Sequence, residues 1–223
     1  MYCKKSLIFL GMCMSLLAEN YNHWGQHYIT TVCYNLDLKY QYGKKIIDSL
    51  GLQGAEKVLD LGCVTGRVAH YCAQHLSSGS VLGIDFAQNL ITSNQREYQQ
   101  NKNLSFACAD ATKLTYENEF DIVYSVFCLH WIKEQGVVMQ NIHRALKPGG
   151  KAFLYVSIES ELAKKWDKAK QKAFQIYPEL LSKYEEIAFH RSEGQWIEWA
   201  QEVGFVVVEH SVSEVRNIFP SGQ

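Results

Sequence analysis

The sequence predicts an α/β fold with a doubly wound, mainly parallel sheet. Three observations predict it. Short apolar runs alternate with helix-like stretches between residues 57 and 156. Apolar residues make up 47% of the 223, enough to cover both faces of a sheet. The length, at roughly 150 residues per domain, suits one compact domain. Three prolines exclude Pro-rich linkers. The 22 Lys and Arg against 23 Asp and Glu leave a net charge of −1, so no basic field marks nucleic acid as a partner.

The elements follow in order. Residues 1–18 read MYCKKSLIFLGMCMSLLA, two lysines before an apolar run. This has the form of a short signal peptide, and it is too short for the about 20 apolar residues that span a bilayer. Three fates stand open: translation starting at Met12 or Met14, a helix packed on the domain, or targeting. The remainder, 19–223, is expected to be one domain, with a core at 44–157 and a helical cover and last strand at 158–223. Residues 21–42 are rich in Tyr, His, Trp and Asn and read as helical and irregular. Ile46, Ile47 and Leu50 give a helix its apolar stripe, and Gly51 stops it. Strands are expected at 57–61, 80–85, 104–109, 120–126 and 151–156. Helices are expected at 67–76, 87–101 and 136–146, the last stopped by Pro148, Gly149 and Gly150. Residues 159–181 carry Leu162, Trp166, Ala169, Ala173, Ile176 and Leu180 at helical spacing. Their lysines read as a solvated face. Ser192 caps a helix ending before Gly204, and 205–210 is a final strand.

The seven cysteines stand at 3, 13, 33, 63, 72, 108 and 128. The odd number and the lack of C-x-x-C spacing argue against a disulfide framework and for a reducing, cytoplasmic setting. Cys63, His70, Cys72 and His75 match none of the usual zinc spacings, so no metal is expected.

Chemistry concentrates in Val58-Leu59-Asp60-Leu61-Gly62-Cys63-Val64-Thr65-Gly66-Arg67. The segment lies where a strand ends and a helix begins. Glycines there let the backbone turn sharply and approach a ligand, which then meets the amides of a helix N-terminus. In open parallel sheets, ligands bind beyond the carboxyl ends of the strands. A dinucleotide fingerprint counted from Gly62 needs glycine at 64 and 67, where Val64 and Arg67 stand. A P-loop ending is also absent.

With these residues in place, the segment resembles the first motif of the class I S-adenosylmethionine-dependent methyltransferases, an acid followed by G-x-G-x-G. Asp60, Gly62 and Gly66 match it. Val81 to Asp85, Cys108 to Ala111, Phe120 to Ser125 and Leu146 to Gly150 resemble the later motifs in order. The resemblance implies a Rossmann-like methyltransferase sheet and S-adenosylmethionine as cofactor. It implies cofactor contacts at Asp60, Gly62, Cys63, Gly66, Asp85, Phe86, Asp110, Ala111 and Ser125. Asp85 would take the ribose hydroxyls, Asp110 the adenine amino group, and Asp60 the methionine end. Plain structural roles stand beside these: a helix cap for Asp85 and a turn former for Asp110.

Cys128-Leu129-His130-Trp131 resembles the branch holding the juvenile hormone acid, trans-aconitate and malonyl-carrier-protein methyltransferases. That resemblance implies a small-molecule acceptor, a carboxylate oxygen. A carboxylate is ionised near pH 7, its pKa being about 4, and needs no strong base. His130 would position it or act as a base, with Trp131, Tyr28 and Trp24 walling the pocket. A satisfied histidine and a core tryptophan are the plain alternatives. No nucleic acid and no stable membrane insertion are expected.

Two departures from the family pattern stand out. Val64 replaces the middle glycine, and valine disfavours positive φ. Residues 212–223 are short for the family's antiparallel seventh strand, so that strand is expected to be missing or reduced to a stub at 214–219. A degenerate relative acting through protein contacts is the alternative function.

Overall fold

The computed structural model describes residues 5–14, 26–159, 168–169, 171–172, 175–176 and 189–215. The strands are β1 (Ser6–Met14), β2 (Lys57–Leu61), β3 (Ser80–Asp85), β4 (Leu104–Cys108), β5 (Phe120–Val126), β6 (Leu146–Ser157) and β7 (Val206–Val215). The helices are α1 (Gln26–Ser49), α2 (Arg67–Gln74), α3 (Gln88–Glu97), α4 (Gln135–Ala145) and α5 (Glu193–Glu202). Single 3-10 turns lie at Ala111–Lys113 and Leu129–Trp131.

The seven strands form one sheet in the order β4-β3-β2-β5-β6-β1-β7, and every described pairing is parallel. The order reverses beside β2, where β3 lies on one side and β5 on the other. That reversal opens a crevice at the carboxyl ends of β2 and β5.

Each central strand feeds two cores. On β2, Val58 packs with Ile46, Ile47, Val68, Ala69 and Cys72 under α1 and α2. Leu59 and Leu61 face the other way, toward Val138, Met139, Ile142 and Trp196 of α4 and α5. On β5, Ile122, Tyr124 and Val126 join the first core and Val123 the second. Burial on both faces explains why these strands read as continuous apolar runs. A fully buried side chain of this size is worth about 1.5–3 kcal/mol. The second core binds α4 and α5 to the sheet, so the fold is doubly wound.

Asp121 pins the opposite end of the sheet. Its carboxylate accepts from the Lys57 amide at 2.8 Å and from Lys147 Nζ at 2.8 and 2.9 Å. Lys147 belongs to β6, which starts earlier than the expected 151. Phe120 pairs with Leu146, and Ile122 next pairs with Lys151. Pro148, Gly149 and Gly150 therefore form a bulge inside the strand, with Gly149 at φ 83.

The N-terminus corrects two expectations. The helix considered for residues 1–18 is instead the strand β1, so 6–14 belongs to the sheet rather than to an extension. Ser6 to Met12 pair with Lys151 to Ser157, and Ser6 to Met14 pair with Val206 to Val215. An apolar run of this length is compatible with a strand buried between two others, and periodicity alone does not separate that from a helix. Lys5 anchors its start: its carbonyl accepts from Val206 N at 2.9 Å, and its Nζ donates to the His143 carbonyl at 2.5 Å. No antiparallel strand is seen among the described residues, and the place between β6 and β7 is filled by the parallel β1. Glu214 and Val215 continue β7 instead of starting a stub, and 216–219 lie outside the described residues. Most of the helix expected at 159–181 also lies outside them.

Deleting residues 1–14 strips β6 and β7 of their shared neighbour. The expected result is loss of the single cooperative urea transition of the full chain, with aggregation visible by light scattering. An unchanged unfolding midpoint would remove β1 from the fold.

Candidate functional site

Two turns at the carboxyl edge of the sheet are joined by one carboxylate. Asp85 ends β3; its Oδ2 accepts from Val64 N and its Oδ1 from Ala87 N, each at 3.0 Å. A carboxylate has about four lone-pair sites, so about two remain. The β2–α2 turn is further tied by the Gly62 and Cys63 amides, which donate to the Ile84 carbonyl at 2.8 and 2.9 Å. Asn94 Nδ2 donates to the Val64 carbonyl at 2.8 Å.

The glycines here are sterically required. A Cβ on Gly62, at φ 82, would lie 2.2 Å from Cys128 Sγ. One on Gly66, at φ 68, would lie 2.7 Å from the Phe106 ring. Val64 keeps the left-handed backbone that a glycine would adopt, at φ 48. A β-branched residue in that conformation carries strain of about 1–2 kcal/mol.

Asp60 lies on β2 just before this turn and is fully buried. Neither carboxylate oxygen has a hydrogen-bond partner. Its neighbour in register on β5 is Tyr124, whose buried hydroxyl lies close by without closing a well-formed bond. Burial pushes the Asp60 pKa up to about 6, against the pull of the Lys39 ammonium and of that hydroxyl. Lys39 projects from α1, is 6% exposed, and donates from Nζ to the Gly62 carbonyl at 2.5 Å. The sequence reading missed Lys39. The available signal was a lysine on the buried stripe of α1, four residues before Gly43 and seven before Ile46.

The second turn follows β5. Phe127 has φ 49, a strained conformation for a phenylalanine. Its ring packs against Tyr42 and Tyr155, with centroids 5.7 and 4.8 Å away. Cys128 follows, and burial raises its thiol pKa to about 11. His130 is 2% exposed, and its Nδ1 receives the Ser157 amide at 3.4 Å. Burial, with lesser contributions from His190 and Lys39, lowers its pKa to about 3. The imidazole is neutral at pH 7 and a weak proton acceptor, which argues against the base role considered for it. Trp131 is half-buried in the same turn, 5.0 Å from the His130 ring.

The remaining expected residues divide by surroundings. Phe86 is 81% exposed beside Asp85. Asp110 caps the short turn at Ala111–Lys113, accepting from the Thr112 amide at 2.9 Å and hydroxyl at 2.7 Å. Those hydrogen bonds hold its pKa below the usual carboxylate value. Ala111 is buried beneath it. Cys63 is buried, and burial raises its thiol pKa strongly. Ser125 is fully buried and donates to the Leu61 carbonyl at 2.8 Å, making it a strut between β5 and β2. Tyr28 lies in α1, and Trp24 lies outside the described residues.

Residues 59–154 match the family model described as a methyltransferase domain. The chain is 34% identical over 113 residues to phosphoethanolamine N-methyltransferase 1 of Triticum aestivum, covering 50% of this chain and 22% of that protein. It is 26% identical over 164 residues to demethylmenaquinone methyltransferase of Staphylococcus carnosus, covering 73% and 66%. Among solved structures, Haemonchus contortus phosphoethanolamine N-methyltransferase 2 in complex with S-adenosyl-L-methionine aligns with a TM-score of 0.58 at 24% identity, covering 74% and 37%. The chain has the Rossmann-like methyltransferase fold. It spans less than two thirds of the length of each of these relatives. The matched segment runs through the crevice, from Leu59 beside Asp60 to Leu154 on β6. Among the described residues, Lys39, Asp60 and Asp85 are the buried charged groups at this crevice. Among the described residues, no helix is long and apolar enough to cross a membrane.

Two variants test this account. Val64→Gly relieves the left-handed strain, offset by about 0.5–1 kcal/mol of glycine entropy. A net gain of about 1 kcal/mol is expected in urea unfolding. Asp60 carries a pH signature. Its folded pKa of about 6 exceeds the ordinary aspartate value of 3.8, so the folded state holds a proton that the unfolded chain releases in that window. Its contribution to stability therefore falls as pH rises from 3.8 to 6, by about 3 kcal/mol in all. Asp60→Asn is expected to exceed the natural chain in stability at pH 8 by up to that amount. The difference should vanish below pH 4, as read from urea midpoints at the two pH values.

Proposed function

We propose that this chain is an S-adenosylmethionine-dependent methyltransferase acting on a small molecule, with a carboxylate oxygen as acceptor. The observation that carries the reading is the Asp60 carboxylate, fully buried with both oxygens unpartnered at the carboxyl end of β2. A buried carboxylate whose oxygens lack hydrogen bonds is costly and calls for donors. Asp60 would take the ammonium, and Lys39 the carboxylate, of the cofactor's amino-acid end.

Bound S-adenosylmethionine would supply an electrophilic methyl group on a sulfonium sulfur. The chain's own residues bind and orient. Asp85 offers its remaining lone pairs to ribose hydroxyls. Phe86 offers an exposed ring, and Asp110 with Ala111 borders the adenine end. The turn at Leu129–Trp131 walls the acceptor side. A carboxylate acceptor arrives ionised, so the protein has no proton to remove and works through alignment. The neutral, weakly basic state of His130 suits that task. Amine and quinone-type acceptors, named for the relatives, are the competing classes.

A specific observation favours a second reading. Val64 holds a strained backbone, and Lys39 already occupies the Gly62 carbonyl. A relative with weakened cofactor binding would show both. Calorimetry with S-adenosylhomocysteine separates the two readings. The enzyme reading expects micromolar binding, weakened at least about a hundredfold by Asp60→Ala, the loss of a charge-assisted contact of about 3 kcal/mol. It also expects Val64→Gly to bind within about threefold of the natural chain, because the backbone N–H that meets Asp85 is retained. Binding only at millimolar concentration by a folded chain supports the degenerate relative.

A further inference from the structure

We propose that Tyr124 is a positioning residue for Asp60: its phenol donates to one oxygen of the ionised carboxylate and leaves the other for the cofactor's ammonium. The ammonium rests on the methyltransferase reading. The pairing of Tyr124 with Asp60 rests on the fold alone.

Asp60 on β2 and Tyr124 on β5 are partners in register. Side chains two apart on a strand share a face, so Asp60 lies on the face of Val58. Val58 packs in one core with Ile122, Tyr124 and Val126. Asp60 and Tyr124 are both fully buried. The Tyr124 hydroxyl and the two Asp60 oxygens are thus three neighbouring buried atoms without a hydrogen-bond partner. A buried tyrosine usually satisfies its hydroxyl, and orphaned atoms in an interior require an explanation. Ile122 and Val126 fill the same face of β5 with carbon alone, so burial does not account for a hydroxyl at 124.

The groups around the pair come from four elements. Lys39 of α1 donates to the Gly62 carbonyl and acts on Asp60 through its charge. Asp85 of β3 acts on Asp60 as a like charge and binds the Val64 and Ala87 amides. Cys63 of the β2–α2 turn and Cys72 of α2 face Tyr124, and burial keeps both thiols protonated. The phenol is the neutral donor of the set, and it favours the ionised form of Asp60.

In the structure the bond stands open. Ionisation closes it, because a charged acceptor makes a hydrogen bond about twice as strong as a neutral one. With one oxygen held, the lone pairs of the second remain for an ammonium.

The test compares four full chains: the natural one, Tyr124→Phe, Asp60→Asn and the double variant. Urea unfolding is followed from pH 4 to pH 8, and the chains with Asp60 are each read against their Asp60→Asn counterpart. Packing effects that do not involve Asp60 cancel in that difference. The natural difference falls with pH and levels off near pH 6, where Asp60 titrates. Without the phenol it is expected to keep falling to about pH 7, a shift of about one unit. Calorimetry with S-adenosylhomocysteine supplies the second reading. The affinity ratio of the natural chain to Tyr124→Phe is expected to grow about fivefold from pH 8 to pH 6. Difference curves that level off at the same pH, or a ratio that does not change with pH, would overturn the pairing. Separate curves in a chain that does not bind S-adenosylhomocysteine would support the pairing and count against the cofactor reading.

Discussion

A carboxylate without a hydrogen-bond partner lies at the centre of the sheet, and the ammonium of Lys39 is its counter-charge. Removing both from water costs several kcal/mol per ion unless attraction and hydrogen bonds offset it. The offset here is partial, since Asp60 still titrates near pH 6. The arrangement dictates its surroundings. Helix α1 must cross the end of β2 for Lys39 to reach the Gly62 carbonyl. Arg67 helps to hold it there, bonded to Asp37 at 2.8 Å and stacked over Tyr40 at 4.2 Å. Residue 62 must lack a side chain, because Cys128 closes over it from β5.

Strain collects in the same place. Val64 and Phe127 follow the adjacent strands β2 and β5, and both are forced to positive φ. Non-glycine residues in such conformations persist only where the surroundings over-determine them. The surroundings here are concrete: Asp85 and Asn94 grip Val64 on both sides of its peptide, and Tyr42 and Tyr155 grip the Phe127 ring. These contacts fix the two turns that border the crevice.

Legibility in the sequence tracked burial. The bounds of β2, β3 and β5 were readable to the residue, because strands buried on both faces are continuous apolar runs between polar ends. Helix ends were less readable. The start of α2 at Arg67 was as expected, but α2 and α3 stop at Gln74 and Glu97, short of the expected 76 and 101. The bulge at Pro148 to Gly150 looked like the stop before a strand because its residues favour turns. In the site, Asp60, Gly62, Gly66 and Asp85 were marked by the resemblance to the methyltransferase motifs. Lys39 was not, since it reaches the site from an earlier helix. Phe127 was not, since nothing in a phenylalanine announces a left-handed backbone. Ser125 was readable as a motif residue, but its hydroxyl is spent between strands.

The parallel placement of β1 sets an order of assembly. Its partners β6 and β7 are made last, and residues 15–145 intervene before β6 begins. At about 5–20 residues per second of synthesis, this apolar strand waits on the order of ten seconds beside a ribosome with nothing to pair with. Contacts so distant along the chain also slow the search once synthesis ends. The strand that joins β6 to β7 is thus the first of this sheet to be made and among the last to be paired, and chaperone demand is expected to concentrate on those nine residues.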